Sequence, residues 1–243
     1  MSIVKNYEPE IKAAIKIFWE TRASQILNQQ QRKVSDAGMR GAVTGGKQMD
    51  GFITLFKKIS LDFGVPEDSI YLKGTNLPGF FRPTKDWDLV IISPQKHLIA
   101  CLELKSQVGS FGNNFNNRSE EAIGSAVDLW TAFREGAFPN QQSPWVGYLM
   151  VVEKSLLSSR PVSVGRSPFR IFDEFINTSY LERYKLLCKK LSLERHYSST
   201  SLIWTSDAGQ EITYGYVDNE LSFSKFIESF AGYITGKLSE FGV

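Results

Sequence analysis

The segment Trp87–Lys105, WDLVIISPQKHLIACLELK, limits what this chain can fold into more than any other stretch. Two apolar runs flank Ser93-Pro94-Gln95-Lys96, and Pro94 suits the second position of a tight turn. The segment therefore reads as a hairpin of two strands, Trp87–Ile92 and Leu98–Lys105. Strand alternation puts Ile99, Cys101, Glu103 and Lys105 on one face. With Pro94-Gln95 as a two-residue turn, Ile92 pairs with His97, Val90 with Ile99 and Asp88 with Cys101, leaving Glu103 diagonal to Asp88. A loop two residues longer sets Asp88 directly opposite Glu103. Either register gathers Asp88, Glu103 and Lys105 on one face, with the carboxylates roughly 5–8 Å apart at the backbone.

The text around the hairpin supplies its cover. Glu8–Asn28 reads as an amphipathic helix, with Pro9 in its first turn and Ile11, Ile15, Phe18, Arg22 and Ile26 at helical spacing. Gln29–Met49 is polar and glycine-rich, the text of a long exposed loop. A second helix starts at Asp50, turns Phe52, Leu55, Phe56, Ile59 and Phe63 inward, and stops at Gly64 and Pro66. A strand at Ser69–Lys73 precedes the hairpin. After it, Gly109–Arg118 reads as a loop feeding a helix capped by Asn117, with Glu120 as capping-box partner. That helix carries Ile123, Val127, Trp130 and Phe133 and ends near Gly136. Trp145–Glu153 (WVGYLMVVE) is apolar enough for a strand buried on both faces. A helix at Tyr180–Leu191, an apolar piece at Leu202–Trp204 and an amphipathic helix at Leu221–Leu238 follow. This order predicts an α/β fold, a mixed β-sheet flanked by helices with helical additions at both ends. Its 243 residues suit a single domain, with a core at about 50–155 and a C-terminal helical extension at about 170–243.

Hydrophobic residues make up 42% and charged residues 22%, which excludes a disordered or fibrous chain. Twenty-eight Lys and Arg against 26 Asp and Glu leave +2, so a polyanion has no global field to follow and must be met by local patches. Between Arg160 and Arg195 eight basic residues face four acidic ones, and from Ser199 onward two face six. These are two solvated faces, or a basic stretch lying along a phosphate backbone. Cys101 and Cys188 sit in apolar text and make neither a disulfide framework nor a zinc site, which points to a reducing compartment. The N-terminus lacks the basic-then-apolar pattern of a signal peptide, and no apolar run approaches the ~20 residues of a membrane span. A soluble intracellular protein without membrane contact is expected.

Two carboxylates and an ammonium on one face are costly as packing, because each charge loses its water. They make sense around a divalent cation, and hard oxygen ligands suit Mg²⁺ sharing its sphere with a substrate phosphate. Asp88 and Glu103 are then the metal ligands, and Lys105 helps deprotonate or orient the attacking water and offsets transition-state charge. The alternative is a salt-bridged, solvent-facing hairpin edge.

Asp88 followed by Glu103-Leu104-Lys105 resembles the D…(D/E)xK signature of the PD-(D/E)XK nuclease superfamily. The surrounding text is more specific. RGAVTGGKQMDGF (Arg40–Phe52), LPGFFRPTKDWDL (Leu77–Leu89), LELKSQVGSFGNNFNNRSEEAIGSAVDLW (Leu102–Trp130) and AFREGAF (Ala132–Phe138) together resemble the XhoI family of type II restriction endonucleases. The likeness includes SYLERYKLLCKKL and fades towards the C-terminus. Trp87 stands where the superfamily often has proline, so only the acid of that motif carries over. The resemblance implies a restriction-endonuclease-like core and a homodimeric, Mg²⁺-dependent enzyme of the bacterial cytoplasm. It implies cleavage of both strands of double-stranded DNA at CTCGAG, leaving 5′-phosphate ends with overhangs, and gives Asp88, Glu103 and Lys105 the catalytic roles. A DNA methyltransferase protecting the same site is then expected as a genetic partner. A repair or structure-selective nuclease without sequence preference, or a non-catalytic DNA-binding module on this scaffold, is the alternative.

A palindrome needs a two-fold reader, and the C-terminal helix, with Phe223, Phe226, Ile227, Phe230 and Ile234, is either an interface or core. For groove contacts the candidates are Asn113, Asn114, Asn116 and Arg118, since Asn pairs with adenine and Arg with guanine, together with Gln107 on the strand. Arg82 and Lys85, just before Asp88, are candidates for holding the DNA backbone, as are Arg40 and Lys47 in the glycine-rich loop. Glu20 and Glu121 are candidate further metal ligands, against ordinary helix-surface charge. Gly41–Gln48 nearly matches a nucleotide-binding loop, but Gln48 lacks the hydroxyl such a loop offers to Mg²⁺. His97 and His196 read as surface residues.

Overall fold

The computed structural model describes residues 6–32, 46–207 and 211–242. Helices α1 (Glu8–Arg32) and α2 (Asp50–Asp62) come first, then β1 (Ile70–Tyr71), β2 (Asn76–Pro78), β3 (Thr84–Asp86), β4 (Leu89–Ile92) and β5 (Leu98–Gln107). They are followed by α3 (Phe111–Arg134), β6 (Trp145–Glu153), the single turn α4 (Leu156–Ser159), α5 (Tyr180–Leu193), β7 (Ser199–Asp207), β8 (Ile212–Tyr216) and α6 (Phe223–Thr235). One sheet has the order β1-β4-β5-β6-β7-β8, while β2 and β3 pair apart from it. Its central strands β5, β6 and β7 are parallel and its outer pairs antiparallel. This is the mixed α/β sheet flanked by helices that the order of elements predicts.

Each face of the sheet has its own apolar core. On one, Leu89, Ile91, Leu102, Leu104, Leu149 and Val151 pack with Phe18 of α1, Phe56 of α2 and Phe226 of α6. On the other, Val90, Cys101, Tyr148, Met150 and Val152 pack with Ala126 and Leu129 of α3 and Tyr184 and Leu187 of α5. Helix α6 belongs to the first core. The Trp145 ring lies 5.2 Å from Phe226 and 5.0 Å from Phe230, and Phe56 lies 5.5 Å from Phe226. Each such pair adds about 0.5–1.5 kcal/mol beyond its burial. The apolar stripe of α6 is core, and it offers no apolar face to a second subunit. Both cysteines are free and buried, and among the described residues no helix is long and apolar enough to cross a membrane.

Three expectations change. First, Gly109–Arg118 is helix rather than loop: Gly109 (φ 62) and Ser110 (φ 45) turn the chain, and α3 starts at Phe111, so Asn117 is not its cap. Glycine and asparagine are poor helix formers, but aromatic packing overrides them here. Phe111 stacks on Tyr180 at 5.9 Å, and Phe115 meets Tyr184 edge-on at 5.2 Å. Second, the buried face of α3 is Ala122, Ser125, Ala126, Asp128, Leu129 and Ala132, while Ile123 is exposed. Third, the C-terminal part is not a helical extension, because β7 and β8 continue the same sheet. The polar text of β7 hides it, since Thr200, Ser201 and Thr205 are buried with hydroxyls donating to the carbonyls of Cys188 (2.8 Å), Leu221 (3.0 Å) and Thr213 (2.8 Å).

The β2–β3 hairpin carries the chain into Asp88 and is anchored on α3. Buried Asp128 accepts from Phe80 N (2.7 Å), Phe81 N (2.8 Å) and Arg82 Nε (2.6 Å). A Cβ on Gly79 would meet Asp128 Oδ2 at 2.3 Å, so only glycine lets the loop approach this closely. Burial pushes the Asp128 carboxyl up, but the N–H groups of Phe81 and Phe80 and the Arg82 guanidinium outweigh it and hold it below the usual carboxylate range. A lowered folded value means stability that is complete above the ordinary carboxyl pKa and lost as pH falls through the lowered one. Asp128→Ala should cost about 1–3 kcal/mol in urea unfolding at pH 7, because the two loop N–H groups and Arg82 lose the buried acceptor that pins them to α3. The gap should narrow below about pH 4 as the wild-type carboxyl protonates; a gap independent of pH would assign the loss to packing.

Candidate active site

The wider of the two hairpin registers holds. Leu89 pairs with Leu102 and Val90 with Cys101, and the ladder ends there; Asp88, in the bend before β4, donates from its N to Leu102 O at 3.0 Å and so lies beside Leu102–Leu104. The turn is wide because Ser93 N donates to His97 O (2.9 Å), Lys96 adopts φ 69, and the register shifts between Ile91 and Ile92. Asp88 Oδ2 accepts from Leu104 N at 2.6 Å. Its other oxygen has no hydrogen-bond partner among the described residues.

Glu103 is 3% exposed and lies between two ammonium groups: Oε1 meets Lys105 Nζ and Oε2 meets Lys85 Nζ. Lys85 Nζ also donates to Asp86 O (2.7 Å) and stands 4.4 Å over the Trp87 ring. Burial pushes the Glu103 carboxyl up, but Lys105 and Lys85 reverse this and hold it below its usual value. Burial pushes Lys105 down, yet Glu103 and Asp88 hold it above its usual value, so it is an ammonium. Asp88 goes the other way. Burial first, and then the charge of Glu103, raise it to about 6 against the pull of Lys105, the Leu104 N–H and Lys85. Of the three residues that alternation brings together, Glu103 and Lys105 are in contact, and Asp88 lies close enough for both their charges to act on it.

Beside Asp88 and Lys105 opens a polar cleft of about 380 Å³. Gln107 of β5, Asn114 and Arg118 of α3, Arg22 of α1 and Gln48 line it. Gln107 is buried; its Nε2 donates to Gly109 O (2.6 Å), and its Oε1 has no partner. Arg118 pairs with Glu121 (2.6 Å), leaving its buried Nε without a partner. Being on a helix rather than a loop, the asparagines diverge. Asn114 faces the cleft, Asn113 is exposed, and Asn116 lines an apolar groove with Phe115 and Phe172. Arg82 is spent on Asp128, and Lys85 lies against Glu103 rather than on an open basic surface. Lys47 is exposed in the turn Gly46–Met49, and Arg40 lies outside the described residues. Glu20 is exposed and pairs with Lys16 (3.7 Å); His97 pairs with Glu240 (2.9 Å).

Sequence reasoning passes over Arg22 and Gln48 as site residues. Gln48 is buried, donates to Gln25 Oε1 (2.6 Å) and accepts from Ser106 Oγ (3.4 Å). The available signal for Arg22 is its place in the apolar period of α1, one turn beyond Phe18.

Asp88, with an unpartnered oxygen beside the polar cleft, is a hard-oxygen donor of the kind that fits a divalent cation, and the second carboxylate near it is Glu103, whose two oxygens are held by Lys105 and Lys85. Among the described residues no third Asp, Glu, His or Cys joins them, so neither Glu20 nor Glu121 completes a larger cluster. Such a cation would share its sphere with water and substrate.

The family model for restriction endonuclease XhoI matches residues 28–215. The chain is 44% identical to the type II restriction enzyme BstVI of Geobacillus stearothermophilus over 211 residues, 84% of this chain and 94% of that protein. It is 44% identical to the type II restriction enzyme XhoI of Xanthomonas vasicola over 192 residues, 77% of this chain and 76% of that protein. With the type II restriction enzyme AbrI of Azospirillum brasilense it shares 48% over 151 residues, 61% of this chain and 67% of that one. No solved structure matches it. Similarity that spans most of the chain, and runs through the segments carrying Asp88, Glu103 and Lys105, makes this protein a member of the XhoI family of restriction endonucleases.

Proposed function

We propose that this protein hydrolyses phosphodiester bonds of double-stranded DNA at the CTCGAG palindrome with Mg²⁺, acting as a homodimer. The observation that carries this reading is Asp88 and Lys105 lining one polar cleft, with the buried Glu103 behind them held by Lys105 and Lys85 and acting on Asp88 by its charge. Charges sited this way cost desolvation that packing alone does not recover, and a phosphoryl-transfer site uses all of them. Similarity to XhoI and BstVI supports the nuclease assignment, while the target sequence, the metal and the dimer are this proposal's own. A DNA methyltransferase specific for the same palindrome is the genetic partner it requires, and the bacterial cytoplasm is where the two would meet.

Asp88 and Glu103 would hold the cation, Asp88 through the oxygen that Leu104 N leaves free. Mg²⁺ there supplies a Lewis acid that draws charge from the scissile phosphoryl group and eases deprotonation of water. Lys105, held as an ammonium, orients the water for in-line attack on phosphorus and offsets the charge of the transition state. The new P–O bond forms as the P–O3′ bond breaks, and the 3′ oxygen takes up a proton, leaving a 5′-phosphate and a 3′-hydroxyl. Lys85 lines no part of the cleft, and its task is to keep Glu103 ionised and aimed.

A plasmid carrying one CTCGAG site should become a single linear species with protein and Mg²⁺, and chelation should stop the reaction until Mg²⁺ is restored. An untouched plasmid or a smear would overturn the assignment. Glu103→Gln and Lys105→Met should each lower single-turnover cleavage by at least about a hundredfold while leaving DNA binding intact. Lys85→Met should stay within about tenfold of wild type and lose thermal stability instead. Equal rate losses in the two lysine variants would place both ammonium groups on the reacting atoms.

A further inference from the structure

Arg22 projects into the cleft from the layer of helices opposite α3. Its helix is held rigidly there. Trp19, one turn earlier, donates from Nε1 to Thr205 Oγ1 (3.0 Å) in the interior, and Phe18 is fully buried in the first core. A Cβ on Gly51 of α2 would meet the Ala14 Cα at 2.9 Å, so α1 and α2 lie backbone to backbone. Against that firm base Arg22 is half-buried and lines the same cleft as Asp88, Lys105 and Arg118.

Arg22 also borders a second groove that Glu153 and Asp207 line, without pairing with either. Among the described residues Arg22 makes no ion pair or hydrogen bond. Arg118 is tied to Glu121, and Lys105 and Lys85 to Glu103. A planar guanidinium fixed at its base and unspent at its tip is suited to a phosphate, which it meets with two parallel N–H groups. A lysine there would be a point charge on a looser stem.

We propose that Arg22 is a positioning residue that grips a DNA phosphate neighbouring the scissile one, entering the cleft from α1 while Lys105 meets the reacting group. This rests on the nuclease reading above and assigns α1 a part in it. Holding the backbone on both sides of the reacting phosphorus keeps that atom in line with the water, and small displacements there are expensive in rate.

The test is a methylphosphonate scan. Once the wild-type cut site is mapped by end sequencing, duplexes are made in which each phosphate across the site is replaced in turn by its neutral methyl analogue. Wild-type protein should lose about ten- to a hundredfold in kcat/KM at the phosphate Arg22 holds. Arg22→Gln should show a similar loss on unmodified DNA and no further loss from that one replacement, while every other position keeps its wild-type penalty. Its binding should depend less steeply on salt, by about one unit of log–log slope. Arg22→Lys should restore part of the positional penalty, which a purely structural role for the side chain would not do. If Arg22→Gln retains the wild-type penalty at every phosphate, this inference fails while the nuclease reading stands. If wild-type protein cuts no duplex at all, both fail together.

Discussion

The constraint on which the site depends is the ionised Glu103 carboxylate inside a strand that is otherwise core. Residues 98–104 of β5 are buried without a break, and Cys101 and Tyr148 on the same face are apolar neighbours. A lone carboxylate there would protonate or unfold its surroundings. Lys105 comes from two residues along the same strand face, and Lys85 from the β3 strand leading into Asp88. With Asp88 nearby, two positive and two negative groups sum to zero, so the core tolerates the cluster. The arrangement leaves Asp88 as the one member raised towards neutrality, to about 6, with one oxygen left unpartnered among the described residues.

That balance explains the apparatus around the hairpin. Asp88 is carried to the end of the ladder beside Leu102–Leu104 by the wider register, which the bulge at Ile91/Ile92 with left-handed Lys96 produces. Lys85 reaches Glu103 only because β2 and β3 form their own small ribbon outside the main sheet, pinned at its tip by Asp128 from α3. A carboxylate buried to receive backbone N–H groups at the loop and a carboxylate buried to receive lysines at the strand are two uses of one physical rule: a buried charge is kept where donors converge on it.

Alternation makes the charged cluster legible, because Asp88, Glu103 and Lys105 fall on one side of a hairpin in either register. The register itself is not, since it depends on a bulge that no residue type announces. Helix α2 was readable because Phe52, Leu55, Phe56 and Ile59 keep the helical period up to Gly64. The start of α3 was not, because Gly112, Asn113 and Asn114 speak for a loop while the opposing evidence, the rings of Tyr180 and Tyr184, lies some seventy residues away in the chain. β7 was missed for the same kind of reason. Its Thr and Ser side chains look solvated until the carbonyls of Cys188, Leu221 and Thr213 are brought to them. Lys85 was visible as a charge near Asp88, but its direction, inward to Glu103, is a property of the separate ribbon.

The cleft also shows why so much of the chain is needed for a site of few residues. Lys105 and Gln107 come from the central strand, Asn114 and Arg118 from the helix on one face, and Arg22 and Gln48 from the segment covering the other. The two cores do not touch each other except through the sheet, so only the finished sandwich sets these groups at one distance. Loosening either layer moves half the lining relative to Asp88. Positional accuracy here follows from each contributor standing within one turn, or one strand residue, of a fully buried side chain: Arg22 after Phe18, Lys105 after Leu104, Arg118 before Ala122. The charged lining is as fixed as the apolar packing beneath it, so the cleft's geometry is set by the fold before anything enters it.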